Sequence, residues 1–140
     1  MNEYELAGIE ALARGVAIAD GKILLCRAKG GNSTYLPGGH IEFGETGRTA
    51  LVREIREELG VASLVGRFLG VVENSFLQHG KPHAEINLVY ELKFDSLPAA
   101  DAKEDWIEFV WWPLSALDDA NLLPTQFCVL KSDSKATFAV

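Results

Sequence analysis

The stretch from Gly39 to Val61 (GHIEFGETGRTALVREIREELGV) restricts the fold of this chain more than any other. It begins as a glycine-rich loop and continues with the periodicity of an amphipathic helix. Four carboxylates lie within it: Glu45, Glu54, Glu57 and Glu58. Like charges three or four residues apart on a helix cost roughly 0.2–0.5 kcal/mol per pair. A cation has to offset that cost, and a divalent metal is the candidate that the pattern predicts.

The helix of this stretch is predicted to begin after Thr46, its N-cap, and to run to about Leu59, with Gly60 ending it. An apolar stripe follows the helical period: Ala50, Leu51, Ile55 and Leu59. The last three of the four carboxylates fall within roughly 100° of one another on a different side of the helix. The helix can therefore bury one side and present three carboxylates to a cleft.

The helical glutamates and the Gly38-Gly39 turn suit a metal site. Glutamate oxygens are hard ligands for Mg²⁺ or Mn²⁺, and Mg²⁺ usually bridges to substrate phosphates. Such a site neutralises charge on a diphosphate and activates a bound water. The turn lets backbone approach closely, so the Gly39 carbonyl is a further candidate ligand. The alternative, which acidity alone favours, is a solvated helix face on which Arg53 and Arg56 pair with the glutamates.

The spacing of the whole stretch resembles the signature of the Nudix hydrolases. That signature reads Gly-x5-Glu-x7-Arg-Glu-apolar-x-Glu-Glu-x-Gly-apolar, and nine constrained positions match it in a frame of 23 residues. The matching residues are Gly39, Glu45, Arg53, Glu54, Ile55, Glu57, Glu58, Gly60 and Val61. The segments LLCR, YLPGGHIEFGE and WWPLSAL also resemble MutT-like members.

The resemblance implies an α+β fold, a Nudix α/β/α sandwich with a mixed β-sheet and the loop–helix–loop motif at the active site. It also implies hydrolysis of the pyrophosphate bond of a nucleoside diphosphate linked to another group, with Mg²⁺ or Mn²⁺ as cofactor. By position, Glu57 and Glu58 resemble metal ligands, and Glu54 resembles a residue that is a ligand in some members and a base in others. Arg53 and Glu45 resemble a pair that orients the helix and the loop. The motif does not fix the general base.

Four residues outside the motif are candidates for contacting substrate. Glu104 and Asp105 lie in the loop before the WIEFVWW run, where such enzymes often add an acidic residue to the metal site. The aromatic residues at strand spacing are expected in the core, and Trp106, beside this loop, is the best candidate among them to stack on a base instead. Arg27 ends the predicted second strand, where its guanidinium would contact a phosphate. The alternative for each charged residue is an ordinary solvated surface position.

A polar sheet face is predicted on two strands that flank one turn. His83, Glu85 and Asn87 alternate along one strand and therefore point to one side. Hairpin pairing brings Glu73 and Asn74 close to them. Such a face is either exposed to solvent or lines a pocket, and we predict that Glu73, Glu85 and Asn87 line a substrate pocket.

The rest of the chain is predicted to be mostly β-structure. Predicted strands are 12–19, 22–27, 64–77, 84–94 and 106–112, with Asp20-Gly21 as a hairpin turn and residues 78–82 as a five-residue turn. A short helix is predicted from Leu114, and residues 125–130 favour a helix. Residues 136–140 favour extended structure, and residues 1–7 a polar lead-in.

Composition and charge limit the partners and the location. One domain over residues 1–140 is expected. A net charge of −7 disfavours nucleic-acid polymers, whose backbones require a basic face, so a small-molecule nucleotide is the expected partner. No signal peptide and no membrane-spanning run is predicted. Cys26 is expected to be a buried free thiol rather than half of a disulfide with Cys128, which favours a cytoplasmic location. The sequence is also compatible with a homodimer.

Two other functions are alternatives to hydrolysis. A Nudix-fold module that senses a nucleotide without turnover usually lacks acidic positions of the motif, and none is missing here. A plain acidic-helix interaction domain is disfavoured by the register of Gly39 and Glu45. Nucleoside triphosphates (oxidised or ordinary), ADP-ribose, dinucleoside polyphosphates and nucleotide sugars all fit the motif. The short chain favours a triphosphate or a small diphosphate derivative.

Overall fold

The computed structural model describes residues 8–131, in which one long helix packs against one side of two β-sheets. The strands are β1 (Glu10–Val16), β2 (Ile18–Ala19), β3 (Lys22–Ala28), β4 (Gly38–His40), β5 (Leu64–Gln78), β6 (Lys81–Lys93) and β7 (Ile107–Pro113). Helix α1 spans Gly47–Leu59, and two 3-10 helices follow β7, Leu114–Ala120 and Thr125–Lys131. The predictions for residues 1–7 and 136–140 lie outside the described residues.

The strands form one mixed and one antiparallel sheet. The first has the order β4-β1-β6-β5, with β1 parallel to β6, and the second has the order β2-β3-β7. The predicted α+β fold with a mixed sheet is confirmed. The division into two sheets was not predicted, and the single strand expected over 12–19 is wrong. The chain leaves β1 at Val16 and enters β2 at Ile18, because the first segment pairs with β6 and the second with β3.

The structure confirms one of the two predicted hairpin turns and shortens the other. Asp20 and Gly21 have φ of 53° and 74°, which confirms the first predicted turn. The five-residue turn over 78–82 is wrong, because His79 and Gly80, with φ of 52° and 77°, close the hairpin alone. Pro82 is tolerated in β6, since β1 begins to pair with that strand only at Glu85.

The core lies on both sides of the sheets. Helix α1 buries its predicted stripe of Ala50, Leu51, Ile55 and Leu59, each at most 3% exposed. The other core cluster includes Leu117, Phe127 and Leu130 from the 3-10 helices. Full burial of one such side chain stabilises by about 1.5–3 kcal/mol. Helix, sheets and 3-10 helices therefore form three layers.

Two further predictions concern the cysteines and membranes. Cys26 is fully buried and Cys128 partly exposed, and both are free thiols, as expected. Among residues 8–131, none of the helices combines the length and the apolar character needed to cross a bilayer.

Candidate active site

Both ends of α1 carry the caps that the sequence predicts. The Thr46 hydroxyl accepts a hydrogen bond from the Thr49 backbone N–H (3.2 Å), and the Thr49 hydroxyl lies 3.0 Å from the Thr46 backbone N–H, which donates to it. Gly60 has φ of 71° and donates its N–H to the Arg56 carbonyl (2.9 Å). These local bonds fix where the helix begins and ends, and therefore which side chains face β4.

The guanidinium of Arg53 connects the motif loop to the helix. Its Nε and Nη2 donate to the two oxygens of Glu45 at 2.6 and 2.9 Å, a bidentate pair. Its Nη1 donates to Glu54 (3.0 Å) and Glu57 (3.2 Å), and its Nη2 to the His40 carbonyl (3.1 Å). The hydrogen bond from Arg53, with help from the Glu42 backbone, lowers the pKa of Glu45. One cation thus organises three carboxylates.

Glu58 is the most buried carboxylate of the motif. It is 5% exposed, and its Oε2 has no hydrogen-bond partner. Burial raises its pKa to about 9, and a hydrogen bond that protonated Glu58 donates to Glu54 and the negative charge of Glu54 act in the same direction. Glu54 in turn lies against Gly39, where an added Cβ would approach the Glu54 Cδ to 2.6 Å. A buried carboxylate oxygen without a partner is costly, so this position favours a bound cation.

The carboxylates of the motif are groups of a kind that binds divalent metals, but their arrangement in the structure does not form a complete metal site. Within residues 8–131, no three acidic, histidine or cysteine side chains are already grouped to hold an ion. Arg53 engages Glu54 Oε1 and Glu57 Oε2. Each of these carboxylates therefore keeps a second oxygen that does not hydrogen-bond to Arg53.

The metal-free protein is expected to lose stability as the pH rises. Glu58 has a pKa of about 9 in the folded state, against 4.5 for the unperturbed group. Between these values the folded state binds a proton that the unfolded state lacks, so the free energy of unfolding falls with increasing pH, by at most about 1.4 kcal/mol per unit. Urea unfolding in a chelating buffer between about pH 6 and pH 8 measures this slope. Glu58→Gln should flatten it, and an unchanged slope in that variant would contradict the assignment.

A cavity of about 660 Å³ lies along β6. Its lining includes Arg14, Tyr35, Asn74, Phe76, Glu85 and Asn87, and residues of the segment 123–126 close it. Asn74 lies opposite Glu85 in the β5–β6 ladder, so both point to the cavity side of the sheet. Glu73 lies opposite Ile86 and does not line the cavity, because successive residues of a strand alternate between faces.

A second cavity of about 500 Å³ lies between β3, β7 and the loop before β7. Arg27, Glu104 and Asp105 line it. The Arg27 Nε donates to Glu108 Oε2 (2.8 Å), which already neutralises part of its charge. The Lys103 N–H donates to the Glu58 carbonyl (2.7 Å), and the negative charge of Glu104 raises the pKa of Glu58. The predicted substrate-contacting residues are therefore divided between two cavities.

The aromatic residues lie in three kinds of position: against the core, at the surface and in the wall of the first cavity. Trp111 and Trp112 pack against the core and donate their ring N–H groups to the carbonyls of Pro98 (3.1 Å) and Ala116 (2.7 Å). Trp106 is 55% exposed but lies outside the linings of both cavities. Phe76 lines the first cavity, and its ring stacks on His83 at 5.0 Å between centroids. Of these aromatic residues, Phe76 has the position best suited to contact a base.

Two charged residues at these sites were not singled out by the sequence. Arg14 lines the first cavity, and its signal was present as one arginine inside the apolar run ALARGVAIA. Glu10 hydrogen-bonds to His40 Nε2 (2.7 Å) and His83 Nδ1 (2.8 Å), and these bonds, that from His83 foremost, lower its pKa. The sequence does not predict that cluster, because its three residues come together only when β1, β4 and β6 pair in the sheet.

Comparison with known proteins identifies the family. The NUDIX domain model matches residues 10–132. The structure of a MutT NUDIX hydrolase from Burkholderia pseudomallei is similar with a TM-score of 0.65 and 26% identity, covering 77% of this chain and 85% of that chain. A NUDIX hydrolase from Nitrosomonas europaea shares the fold with a TM-score of 0.69 and 18% identity, covering 95% of this chain and 94% of that chain.

A curated relative is similar over less than half of the chain. An ADP-ribose pyrophosphatase from Methanocaldococcus jannaschii is 45% identical over 62 residues, which cover 41% of this chain and 36% of that protein. The matches span 33% to 42% of the length of the curated relatives compared. The family model, in contrast, extends over most of the sequence. The chain belongs to the NUDIX domain family.

Proposed function

We propose that this protein is a metal-dependent hydrolase that cleaves the pyrophosphate bond of a nucleoside diphosphate linked to another group. The observation that carries the proposal is Glu58, a buried carboxyl group with an unpaired oxygen, next to Glu54 on a helix with the complete Nudix motif. The first cavity, at about 660 Å³, lies in the range of small-molecule sites. We also propose that the chain is a single domain located in the cytoplasm.

We assign the metal to Glu54, Glu57 and Glu58, with the Gly39 carbonyl as a further ligand. Mg²⁺ or Mn²⁺ bound there would neutralise charge on the diphosphate and lower the pKa of a bound water. Glu58 has to release its proton to become a ligand. Arg53 orients Glu45 and the carboxylates around it, and it compensates their charge while no metal is bound.

The nucleoside part of the substrate is assigned to the first cavity. Asn74, Glu85 and Asn87 offer polar groups along its wall, and Phe76 offers an aromatic face. Both features are those of sites that hydrogen-bond and stack a base. The similarity to an ADP-ribose pyrophosphatase supports ADP-ribose as one substrate, and a nucleoside triphosphate is the other small substrate that the motif admits.

The remaining candidates are assigned to the phosphate end. Arg27 would contact a phosphate if it exchanged Glu108 for the substrate. Glu104 and Asp105 stand beside it, in a loop that the Lys103 backbone anchors to the end of α1. We propose that this loop adds an acidic group near the metal, because Glu104 follows Lys103, whose backbone N–H donates to the Glu58 carbonyl.

A panel of nucleotides tests the proposal directly. Nucleoside triphosphates, ADP-ribose, dinucleoside polyphosphates and nucleotide sugars are incubated with Mg²⁺ or Mn²⁺, and the phosphate-containing products are separated. We expect a nucleoside monophosphate from at least one of them, and none in a chelating buffer. Binding of these nucleotides without turnover of any would contradict hydrolysis and favour a nucleotide-sensing module.

A further inference from the structure

Arg14 places an unneutralised cation in the wall of the first cavity. Its side chain is half-buried, and its hydrogen bonds go to neutral groups, Nε to Asn87 Oδ1 (3.4 Å) and Nη1 to the Leu36 carbonyl (3.1 Å). Its guanidinium lies 5.6 Å from the centre of the Tyr35 ring. In the part of the chain that the structure describes, no ion pair joins it to a carboxylate, whereas Arg27 and Arg53 both have one.

The contacts of Arg14 leave one end of the guanidinium for a ligand. Within residues 8–131, its hydrogen bonds engage Nε and Nη1, and Nη2 has none. A partly desolvated cation gains most from an anionic partner, and the planar fork of arginine matches the oxygens of a phosphate group. The lining of the cavity therefore favours a ligand with negative charge at this position.

The neighbours of Arg14 hold it in place. Asn87 is 1% exposed and is fixed by a hydrogen bond from its Nδ2 to the Val72 carbonyl (3.2 Å). Leu36, whose carbonyl accepts from Nη1, is fully buried. An arginine that is already ordered loses little conformational entropy when it binds. This distinguishes Arg14 from a mobile arginine on the surface.

Arg14 also connects the cavity to the carboxylates of the motif. It lines the cavity and lies opposite Gly38 in the β1–β4 ladder, and the next residue, Gly39, lies against the Glu54 carboxylate. An anion bound by Arg14 would therefore lie on the side of the cavity nearest to the proposed metal site. That is the place of the diphosphate, if the nucleoside occupies the remainder of the cavity.

We propose that Arg14 binds a phosphate oxygen of the substrate's diphosphate and so positions the reacting bond between the cavity and the glutamates of α1. This inference rests on the proposed function and adds a substrate-binding residue to it. It also implies that affinity comes largely from the phosphate chain, so that a nucleoside alone binds weakly.

Binding of imidodiphosphate, a base-independent analogue of pyrophosphate, tests this role. Titration calorimetry with Mg²⁺ present compares the wild type with Arg14→Met, Arg14→Lys and the control Arg67→Met, an exposed arginine of β5. We expect Arg14→Met to bind roughly 10- to 100-fold more weakly, because a hydrogen bond to a charged group is lost. Arg14→Lys should retain part of the affinity, and Arg67→Met all of it. The affinity for Mg²⁺ alone should stay unchanged in every variant.

Two outcomes would overturn the proposal. One is a wild type that does not bind imidodiphosphate, and the other is Arg14→Met with wild-type affinity. If Arg14→Met does not fold, phenylglyoxal labelling of the wild type decides instead, because imidodiphosphate should protect Arg14 from modification and an unprotected Arg14 would refute the role. The nucleotide panel distinguishes failure of this proposal from failure of the proposed function, because it measures turnover by the wild type, in which Arg14 is unchanged.

Discussion

Replacement of Glu57 by glutamine is expected to lower kcat by roughly 1,000-fold while leaving the protein folded. A bound metal supplies several kcal/mol of transition-state stabilisation, and each 1.36 kcal/mol corresponds to a factor of about ten. A neutral amide is a poor substitute for a carboxylate ligand. The Glu57 side chain is 52% exposed and bonded to Arg53, so its loss should change the free energy of unfolding by less than about 1 kcal/mol.

Glu42→Gln is the matched control for this experiment. Glu42 is also a glutamate beside Arg53, at 3.8 Å, and its side chain is 67% exposed. It lies outside the proposed ligand positions, so its kcat and its dependence on Mg²⁺ concentration should resemble those of the wild type. An equal loss in both variants would point to the charge balance around Arg53, and wild-type activity in Glu57→Gln would refute Glu57 as a ligand.

The sequence predicted well those features that depend on neighbouring residues. Thr46 and Gly60 set the ends of α1 through hydrogen bonds to residues three or four positions away. The pairing of Arg53 with Glu45 was implied by the resemblance to the Nudix motif, and the structure brings the two together. Such local relations survive in any fold that accepts the helix.

Features that depend on distant pairing were not predicted. Nothing in the apolar run over 11–19 shows that its first part joins one sheet and its last part another, because an apolar strand fits either. The position of Arg14 has the same origin, since its partners Leu36 and Asn87 come from other segments. The separation of Arg27 from Glu85, in two cavities, likewise follows from the division of the sheets.

Gly38 holds the motif loop against β1, and its replacement by alanine is expected to be strongly destabilising. It has φ of 137°, and an added Cβ would collide with the Ala13 carbonyl oxygen, a backbone atom of the neighbouring strand. The unfavourable dihedral costs about 1–3 kcal/mol, and the collision adds to it because β1 is fixed between β4 and β6. We expect Gly38→Ala to lose more than about 3 kcal/mol, measured by urea unfolding.

Gly44→Ala separates the cost of the backbone dihedral from the cost of the collision. Gly44 has φ of 87°, but an added Cβ there would meet no atom within 4 Å, so only the dihedral cost of about 1–2 kcal/mol applies. Equal losses in the two variants would show that close contact with β1 is unimportant. A larger loss in Gly38→Ala, in contrast, would show that the close contact of β4 with β1 contributes to stability. The same short strand carries Gly39, which lies against the Glu54 carboxylate, so this contact also joins the sheet to the acidic end of the motif.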